Sequence, residues 1–195
     1  TGSNTGIGLE TARELARMGA RVILACRTKS KAEAAVEKIK ASTGTESVTW
    51  MQLDLCSWDS IRNFAKKFKE QKIKLHVLIN NAGMMCHDRR ITKEGYEMTL
   101  AANHLGPFLL TRLLLDNLKQ GEGGRIVNVS SALHFLPKSF NFADINLEEG
   151  YEMFSAYGRS KLAGMLFTME LDRRLKGESS NVTVNALHPG LVLTE

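Results

Sequence analysis

Proline is nearly missing from this chain of 195 residues: there are three, alongside three cysteines and 7% aromatic residues. So few prolines leave no rigid spacer to divide the chain, and no repeat or low-complexity stretch does so either. The cysteines, Cys26, Cys56 and Cys86, are odd in number and form no C-x-x-C pair. They read as buried thiols in a reducing compartment, not as a disulfide framework or a zinc site. No apolar run approaches the roughly 18 residues needed to cross a bilayer, and no signal-peptide pattern opens the chain. No block of five like charges occurs, so the net charge of +5 reads as a mildly basic solvated surface rather than a nucleic-acid patch. Two glycosylation-type triplets, Asn128-Val-Ser130 and Asn181-Val-Thr183, lie in apolar, strand-like runs and are discounted.

With 43% hydrophobic content, residues 1–195 are enough for one buried core, and a single domain is expected. Short apolar or β-branched runs at Arg21–Cys26, Val48–Leu53, Leu75–Ile79, Arg125–Val129 and Asn181–Leu187 predict strands. Their near-continuous hydrophobicity points to burial on both faces, as in a parallel sheet. Helical spacing recurs between them, over Ile7–Met18, Lys29–Ser42, Ser57–Gln71, Gly95–Leu118 and Phe154–Lys176. That alternation predicts an α/β fold, a Rossmann-type doubly wound parallel sheet. The chain reads as a fragment of it, opening after the place of the first strand and stopping in mid-loop, so a membrane anchor elsewhere is not visible. The one long irregular segment, Ala132–Met153, is of a length that tends to be functional.

Thr1-Gly2-Ser3-Asn4-Thr5-Gly6-Ile7-Gly8 stands directly before the first helical stretch. Glycine lets the backbone turn tightly against a pyrophosphate, and the helix behind it offers unpaired N–H groups and a positive dipole end. The same residues would also serve as a plain helix-capping turn. In NAD-binding sheets the end of the next strand carries an acid for the adenosine ribose. Here neutral Cys26 is followed by Arg27, with Lys29 and Lys31 nearby, a set that suits the 2′-phosphate of NADP. Asp54 either caps the helix that follows it or accepts from an adenine amino group.

Tyr157 and Lys161 are four apart on a helix and share a face. Acid–base work near neutrality needs the phenol brought down by about 3 pH units from its usual value near 10, and a neighbouring ammonium is a source of that. Ser130 and Ser131 lie where a buried strand ends, the edge at which such sheets bind ligands, and a hydroxyl there can stabilise a developing alkoxide. Asn80-Asn81-Ala82-Gly83 closes the preceding strand in the same way, and Asn103 interrupts a helical run for which asparagine is a mediocre former. Each of these alone is as well explained as a turn, cap or surface residue.

In this order, the motifs resemble the short-chain dehydrogenase/reductase family across essentially the whole chain. The matching pieces are the glycine turn from Thr1 to Gly8, Asp54 after the strand, N-N-A-G from Asn80 to Gly83, and Asn103 in Asn103-His-Leu-Gly106. They continue with Ser131 as the second of a serine pair, Tyr157 and Lys161 with Ser160 between them, and His188-Pro189-Gly190 with Thr194. The resemblance implies an oxidoreductase that moves a hydride between NADP(H) and a carbonyl or alcohol. It implies Tyr157 as proton donor or base, Lys161 as the group that holds the nicotinamide ribose and lowers the tyrosine pKa, and Ser131 as the group that orients the substrate oxygen. Asn103 would anchor a water leading to the lysine. Cofactor contacts are implied at Gly2, Ser3, Asn4, Thr5, Gly6 and Ile7, at Arg27, Asp54 and Leu55, and at Asn81, Ala82 and Gly83. Tyr157, Lys161, Pro189, Gly190, Val192 and Thr194 complete that set, and no metal is implied.

Within the family, Leu24-Ala-Cys-Arg27, Leu75-His-Val-Leu-Ile-Asn-Asn-Ala-Gly83 and Arg173-Arg-Leu-Lys176 are similar to the retinol dehydrogenase-related branch. Its insertion between Ser131 and Tyr157 holds Phe135, Phe140, Phe142, Tyr151 and Phe154, which either line an apolar pocket or pin the loop. Pro107 stands where retinol-active relatives carry histidine, so the implied substrate is a lipophilic aldehyde, ketone or alcohol, with a retinoid as one candidate. The family implies homodimerisation through the Gly95–Leu118 and Phe154–Lys176 helices. The expected location is cytoplasmic, or the cytosolic face of an intracellular membrane if the full chain carries an anchor. The competing expectation is a non-catalytic NADP(H)-binding sensor or scaffold, since fold alone does not give function.

Overall fold

The computed structural model of the chain describes residues 1–192. Residues 1–54 together with the C-terminal stretch from Leu191 form one compact unit, and Leu55–Gly190 form a second.

The first unit runs from α1 (Gly6–Arg17) through β1 (Val22–Cys26) and α2 (Lys29–Thr43) to β2 (Val48–Gln52). β1 and β2 pair in parallel, from Val22 opposite Val48 to Cys26 opposite Gln52. α1 buries Gly8, Leu9, Ala12 and Ala16, and α2 buries Ala32, Ala35, Val36 and Ile39, each a stripe at helical spacing. These residues close over Leu24, Cys26 and Val48 of the strands. Leu24 and Ile39 are wholly removed from solvent, each contributing about 1.5–3 kcal/mol of burial. α2 ends where Gly44 takes a left-handed φ of 73° and donates its N–H to the Lys40 carbonyl, 2.8 Å away.

The second unit begins with α3 (Trp58–Glu70), whose N-terminus is capped by Ser57 accepting the Ser60 N–H at 3.3 Å. β3 (Val77–Asn80), β4 (Arg125–Val129) and β5 (Thr183–Leu187) make a parallel sheet in the order β3-β4-β5. α5 (Gly106–Lys119) connects β3 to β4, and α6 (Met153–Gly177) connects β4 to β5. Leu110, Leu114 and Leu118 of α5 and Ile126 of β4 are almost fully buried, the center of this unit's core.

Where the helix over Gly95–Leu118 was expected, the chain does three things. Gly95 has φ 85° and turns the backbone, and Glu97 caps α4 (Met98–Leu100) by accepting the N–H groups of Thr99 (2.7 Å) and Leu100 (2.8 Å). A π-turn then covers Ala101–Leu105 before α5 starts. The helix therefore begins three residues late, because a left-handed glycine and an acidic cap together set its start. The strand expected from Leu75 starts at Val77, and the one expected from Asn181 starts at Thr183. Asn181 is held back by its own side chain, which donates to the Gly121 carbonyl at 2.9 Å.

Candidate active site

β4 hands the chain to the site. One residue past it, the Ser130 N–H donates to the Leu187 carbonyl at 2.7 Å, and Ser131 then turns into a 3-10 helix over Ala132–Phe135. Ser131 caps that turn: its Oγ accepts the Leu133 N–H at 3.2 Å, which leaves its own O–H to donate. The His134 Nδ1 lies 2.6 Å from the Ser131 carbonyl oxygen, so Nδ1 carries the proton and donates it.

α6 brings Tyr157 to the same place, where the Ser131 hydroxyl acts on its phenol. Burial pushes the Tyr157 phenol above its usual 10, and the neighbouring Ser131 hydroxyl pulls it back. Lys161, one turn further, is 5% exposed and donates from Nζ to the Val129 carbonyl at 2.9 Å. Its Nζ stands 5.4 Å from the centre of the Tyr157 ring, and burial lowers its pKa to about 8. The sequence led to an expectation that Lys161 would lower the tyrosine pKa. In the chain's own structure the ammonium sits over the ring and donates to a main-chain carbonyl.

Asn103 occupies the π-turn, an extra-residue turn of the kind found at functional sites. Its Oδ1 accepts the Met84 N–H at 2.8 Å, and its Nδ2 donates to the Met84 carbonyl and to Ser160 Oγ, both at 2.9 Å. Ser160 in turn donates to the Tyr157 carbonyl at 2.7 Å. The segment after β3 is thereby tied to the helix that carries the tyrosine. A Cβ on Gly83 would stand 3.4 Å from Lys161 Nζ and 3.5 Å from Asn103 Oδ1, so the backbone at Gly83, the lysine and the asparagine converge. Ser131, Tyr157, Lys161, Asn103 and Gly83 are the predicted residues brought together in this unit. Asn81 and Ala82 lie beside them, partly buried, at the end of β3.

Asn128, Thr111, Thr168 and Arg159 were not singled out from the sequence as groups of this site. Asn80 and Asn128 face each other in register across β3 and β4, with Asn80 Nδ2 donating to Asn128 Oδ1 at 2.8 Å and to Thr111 Oγ1 at 3.1 Å. Asn128 Nδ2 continues the ladder to Thr168 Oγ1 at 2.9 Å. A cavity of about 20 Å³ is bounded by these asparagines together with Asn103, Ser130, Ser160 and Lys161. Asn80 Oδ1 and Ser130 Oγ are buried without a hydrogen-bond partner among the described residues. Two asparagines at matching positions of two buried strands were the available signal. Arg159 gave none: a surface charge by composition, it is buried, donates from Nη2 to the carbonyls of Asn141 (3.3 Å) and Asp144 (3.1 Å), and lies 4.9 Å over the Phe140 ring. Tyr151 pins the same insertion by donating to the Cys86 carbonyl at 2.8 Å. Phe140 and Tyr151 therefore hold the loop, while Phe135 (81%), Phe142 (77%) and Phe154 (47%) stay exposed.

In the first unit, Gly2 and Gly6 take φ values of 61° and 54°, in the left-handed region that favours glycine. Between them Ser3 is buried, its Oγ 3.7 Å from Cys26 Sγ, and the Gly2 N–H donates to the Ala25 carbonyl at 3.0 Å. Thr5 makes no side-chain capping bond to α1, and the first turn of α1, which includes Ile7, holds no acidic residue. Asn4, Thr5 and Ile7 are partly buried. Arg27 is exposed just past β1 and forms no ion pair among the described residues. Asp54 closes the unit's strand-bearing stretch, half-buried.

The remaining expected contacts are scattered. Leu55 is buried at the start of the second unit, Pro189 is half-buried and Gly190 exposed after β5, and Val192 is exposed. Thr194 lies outside the described residues.

The whole chain, residues 1–195, matches the model of the family described as short chain dehydrogenase. The chain belongs to the short-chain dehydrogenase family, a family of oxidoreductases that use nicotinamide cofactors, and within it to the retinol dehydrogenase-related branch. It is 50% identical to mouse retinol dehydrogenase 12 over all of its length and 61% of that protein's. It is 47% identical to human polyprenol dehydrogenase, again over the whole chain and 60% of the relative. The chain thus spans about 60% of the length of the curated relatives it matches. Among solved structures, an uncharacterized protein of Mycobacterium paratuberculosis superposes with a TM-score of 0.85 at 42% identity, covering 97% of this chain and 66% of that one. A metagenomic short-chain oxidoreductase in complex with NADP superposes with a TM-score of 0.77 at 26% identity, covering 97% and 80%.

Proposed function

We propose that this chain carries the nucleotide-binding and catalytic residues of an NADP(H)-dependent oxidoreductase acting on a lipophilic aldehyde, ketone or alcohol. Residues 1–195 would act as one dinucleotide-binding domain. The observation that carries this is Lys161 Nζ held 5.4 Å from the Tyr157 ring and tied to the Val129 carbonyl at the strand end that leads into Ser131.

The residues fit the cofactor. The left-handed Gly2 and Gly6 and the uncapped, acid-free start of α1 suit the pyrophosphate, and Ser3, Asn4, Thr5 and Ile7 line that turn. Exposed Arg27, without an ion pair among the described residues, suits the 2′-phosphate of NADP, in a place where NAD-binding sheets carry an acid. Asp54 and Leu55 would meet the adenine, Asn81, Ala82 and Gly83 the ribose, and Pro189, Gly190, Val192 and Thr194 the nicotinamide. When bound, the nicotinamide supplies or takes up the hydride.

The chain's own residues manage the proton and the oxygen. Ser131 turns its O–H to the reacting oxygen and Tyr157 gives that oxygen a proton in reduction or removes it in oxidation. Lys161, cationic at neutral pH with a pKa near 8, holds the ribose and favours the phenolate. Asn103 sets the π-turn against Met84 and Ser160, and the cavity beside Lys161 has about the volume of one water, in keeping with a water held near the lysine.

Retinol and polyprenol, named in the relatives, are both isoprenoid alcohols, which supports a lipophilic substrate. A homodimer through α5 and α6 fits the exposed Phe108, Leu166 and Met169 on those helices. The location proposed is the cytoplasm, or the cytosolic face of an intracellular membrane in an anchored full chain. Among the described residues no helix is long and apolar enough to cross a membrane.

The test uses the full-length protein with NADPH and a panel of lipophilic aldehydes and ketones. Turnover is expected for the wild type, and Tyr157→Phe should abolish it while NADPH still binds. NADPH binding with no turnover on any carbonyl would replace this function with that of a sensor.

A further inference from the structure

Past Gly83 the chain leaves the site through Met84, Met85 and Cys86, and its backbone is gripped on both sides of Met85. Asn103 holds Met84, accepting its N–H on Oδ1 at 2.8 Å and donating from Nδ2 to its carbonyl at 2.9 Å. Cys86 is buried; its N–H donates to Thr99 Oγ1 at 3.3 Å, and its carbonyl accepts the Tyr151 hydroxyl at 2.8 Å. Met85, between the two, is exposed. It comes two residues after Gly83, where a Cβ would lie 3.4 Å from Lys161 Nζ. Its Cα is therefore at most about 7.6 Å from that of Gly83.

Tyr151 reaches Cys86 from the start of α6. It stands directly before Glu152, which caps that helix by accepting the N–H groups of Phe154 at 3.0 Å and Ser155 at 2.6 Å. The ring that holds Cys86 is thus rooted at the helix that carries Tyr157. Phe154 is exposed, three residues before Tyr157 and on the same face of α6. Each of the two segments that Tyr151 joins therefore presents an exposed apolar side chain, one an adaptable methionine and the other a rigid ring. Apolar groups beside a polar reacting centre suit a hydrocarbon tail, which gains about 25 cal/mol per Å² covered.

We infer that Tyr151 is a positioning residue for substrate selectivity: its hydroxyl fixes the Cys86 carbonyl and so holds Met85, with Phe154, against the apolar chain of a long lipophilic carbonyl. This rests on the function proposed above for the place of the reacting oxygen. Tyr151→Phe removes only the hydroxyl. The ring, the Asn103 grip on Met84 and the Thr99 grip on the Cys86 N–H all remain, so the segment keeps its path while Met85 loses its fixed place.

The experiment uses the full-length protein. With NADPH in excess, Tyr151→Phe should lower the ratio of kcat/KM for decanal to that for propanal about tenfold, the scale of one lost apolar contact. The change should come from a raised KM for decanal and not from kcat. Added to Met85→Ala, Tyr151→Phe should lower the ratio no further, since both act through one side chain. A ratio that does not move, equal losses on the two aldehydes, or effects that add would overturn the inference. Binding is read without turnover by NMR of protein carrying ¹³C-methyl methionine, with the Met85 signal identified by its absence in Met85→Leu. Decan-1-ol with NADPH, a pair that cannot react, should shift that signal in the wild type, and Tyr151→Phe should need about tenfold more alcohol for the same shift. A wild-type signal unmoved by the alcohol defeats the inference even if decanal is reduced. A wild type that reduces neither aldehyde but shows the Tyr151-dependent shift counts against the proposed function and upholds the inference. Should Tyr151→Phe not fold, Met85→Ala must by itself raise the KM for decanal, and an unchanged KM there sinks the inference.

Discussion

The ammonium of Lys161 donates to the main-chain carbonyl of Val129 at 2.9 Å, tying the helix that carries Tyr157 to the end of the strand that leads into Ser131. Helix α6 and strand β4 are joined at the point where the segments carrying Tyr157 and Ser131 begin. A charge buried to 5% exposure is an expensive way to make that joint.

Its cost is measurable. The fall of the Lys161 pKa from 10.5 to about 8 corresponds to about 3 kcal/mol held against the charged form in the fold, offset by about 1.5–3 kcal/mol from the charged hydrogen bond. Lys161→Met should therefore abolish turnover with no loss of folding stability at pH 7. Between pH 8 and 10.5 the unfolded chain holds a proton that the folded wild type has released, so wild-type stability rises with pH there. The wild type should gain on the Met variant across that window. Denaturant unfolding at pH 7, 8, 9 and 10 checks it, and a constant difference between the two proteins would count against it.

Arg27→Ala should raise the dissociation constant for NADPH about 10- to 100-fold, as expected for one lost charge-assisted contact of about 1.5–3 kcal/mol. NADH binding should change little, because Arg27 faces solvent and forms no ion pair among the described residues. Fluorescence titration with both nucleotides is the measurement, and equal losses would argue that Arg27 does not read the 2′-phosphate.

Acid should unfold the protein partly through His104. This imidazole packs with the rings of Phe108 and Phe167, at 6.2 and 6.1 Å, and burial lowers its pKa from 6.5 to about 4. The unfolded chain takes up a proton below pH 6.5 and the folded chain does not until about pH 4. The stabilising contribution is therefore complete above pH 6.5 and lost as pH falls through 4, up to about 3 kcal/mol. His104→Phe should flatten the stability profile over that window. A His104→Phe protein with the wild-type slope between pH 6.5 and 4 would exclude this origin.

Much of the site was legible beforehand because short motifs carry their own local geometry. Tyr157 and Lys161 share a face by helical spacing alone, and Ser131 follows a strand end that any reading of Arg125–Val129 would find. The left-handed glycines of the Gly2–Gly6 turn are where the motif asks for them. The buried role of Arg159 was not legible, because which charged residue is covered depends on how the insertion folds back over α6. The break of the Gly95–Leu118 helix into a cap, a π-turn and α5 was also missed: asparagine's poor helix propensity marked Asn103 as unusual but did not say that the turn around it would widen.

Sequence by itself determined the element types, their order and which side chains are candidates for the reaction, since these follow from periodicity and from residue chemistry within a few positions. Tertiary structure decided the electrostatics. Burial raises the Tyr157 phenol, and Lys161 is bound to a carbonyl 32 positions away. Those facts depend on desolvation and on contacts between segments far apart in the chain, and neither has a local signature.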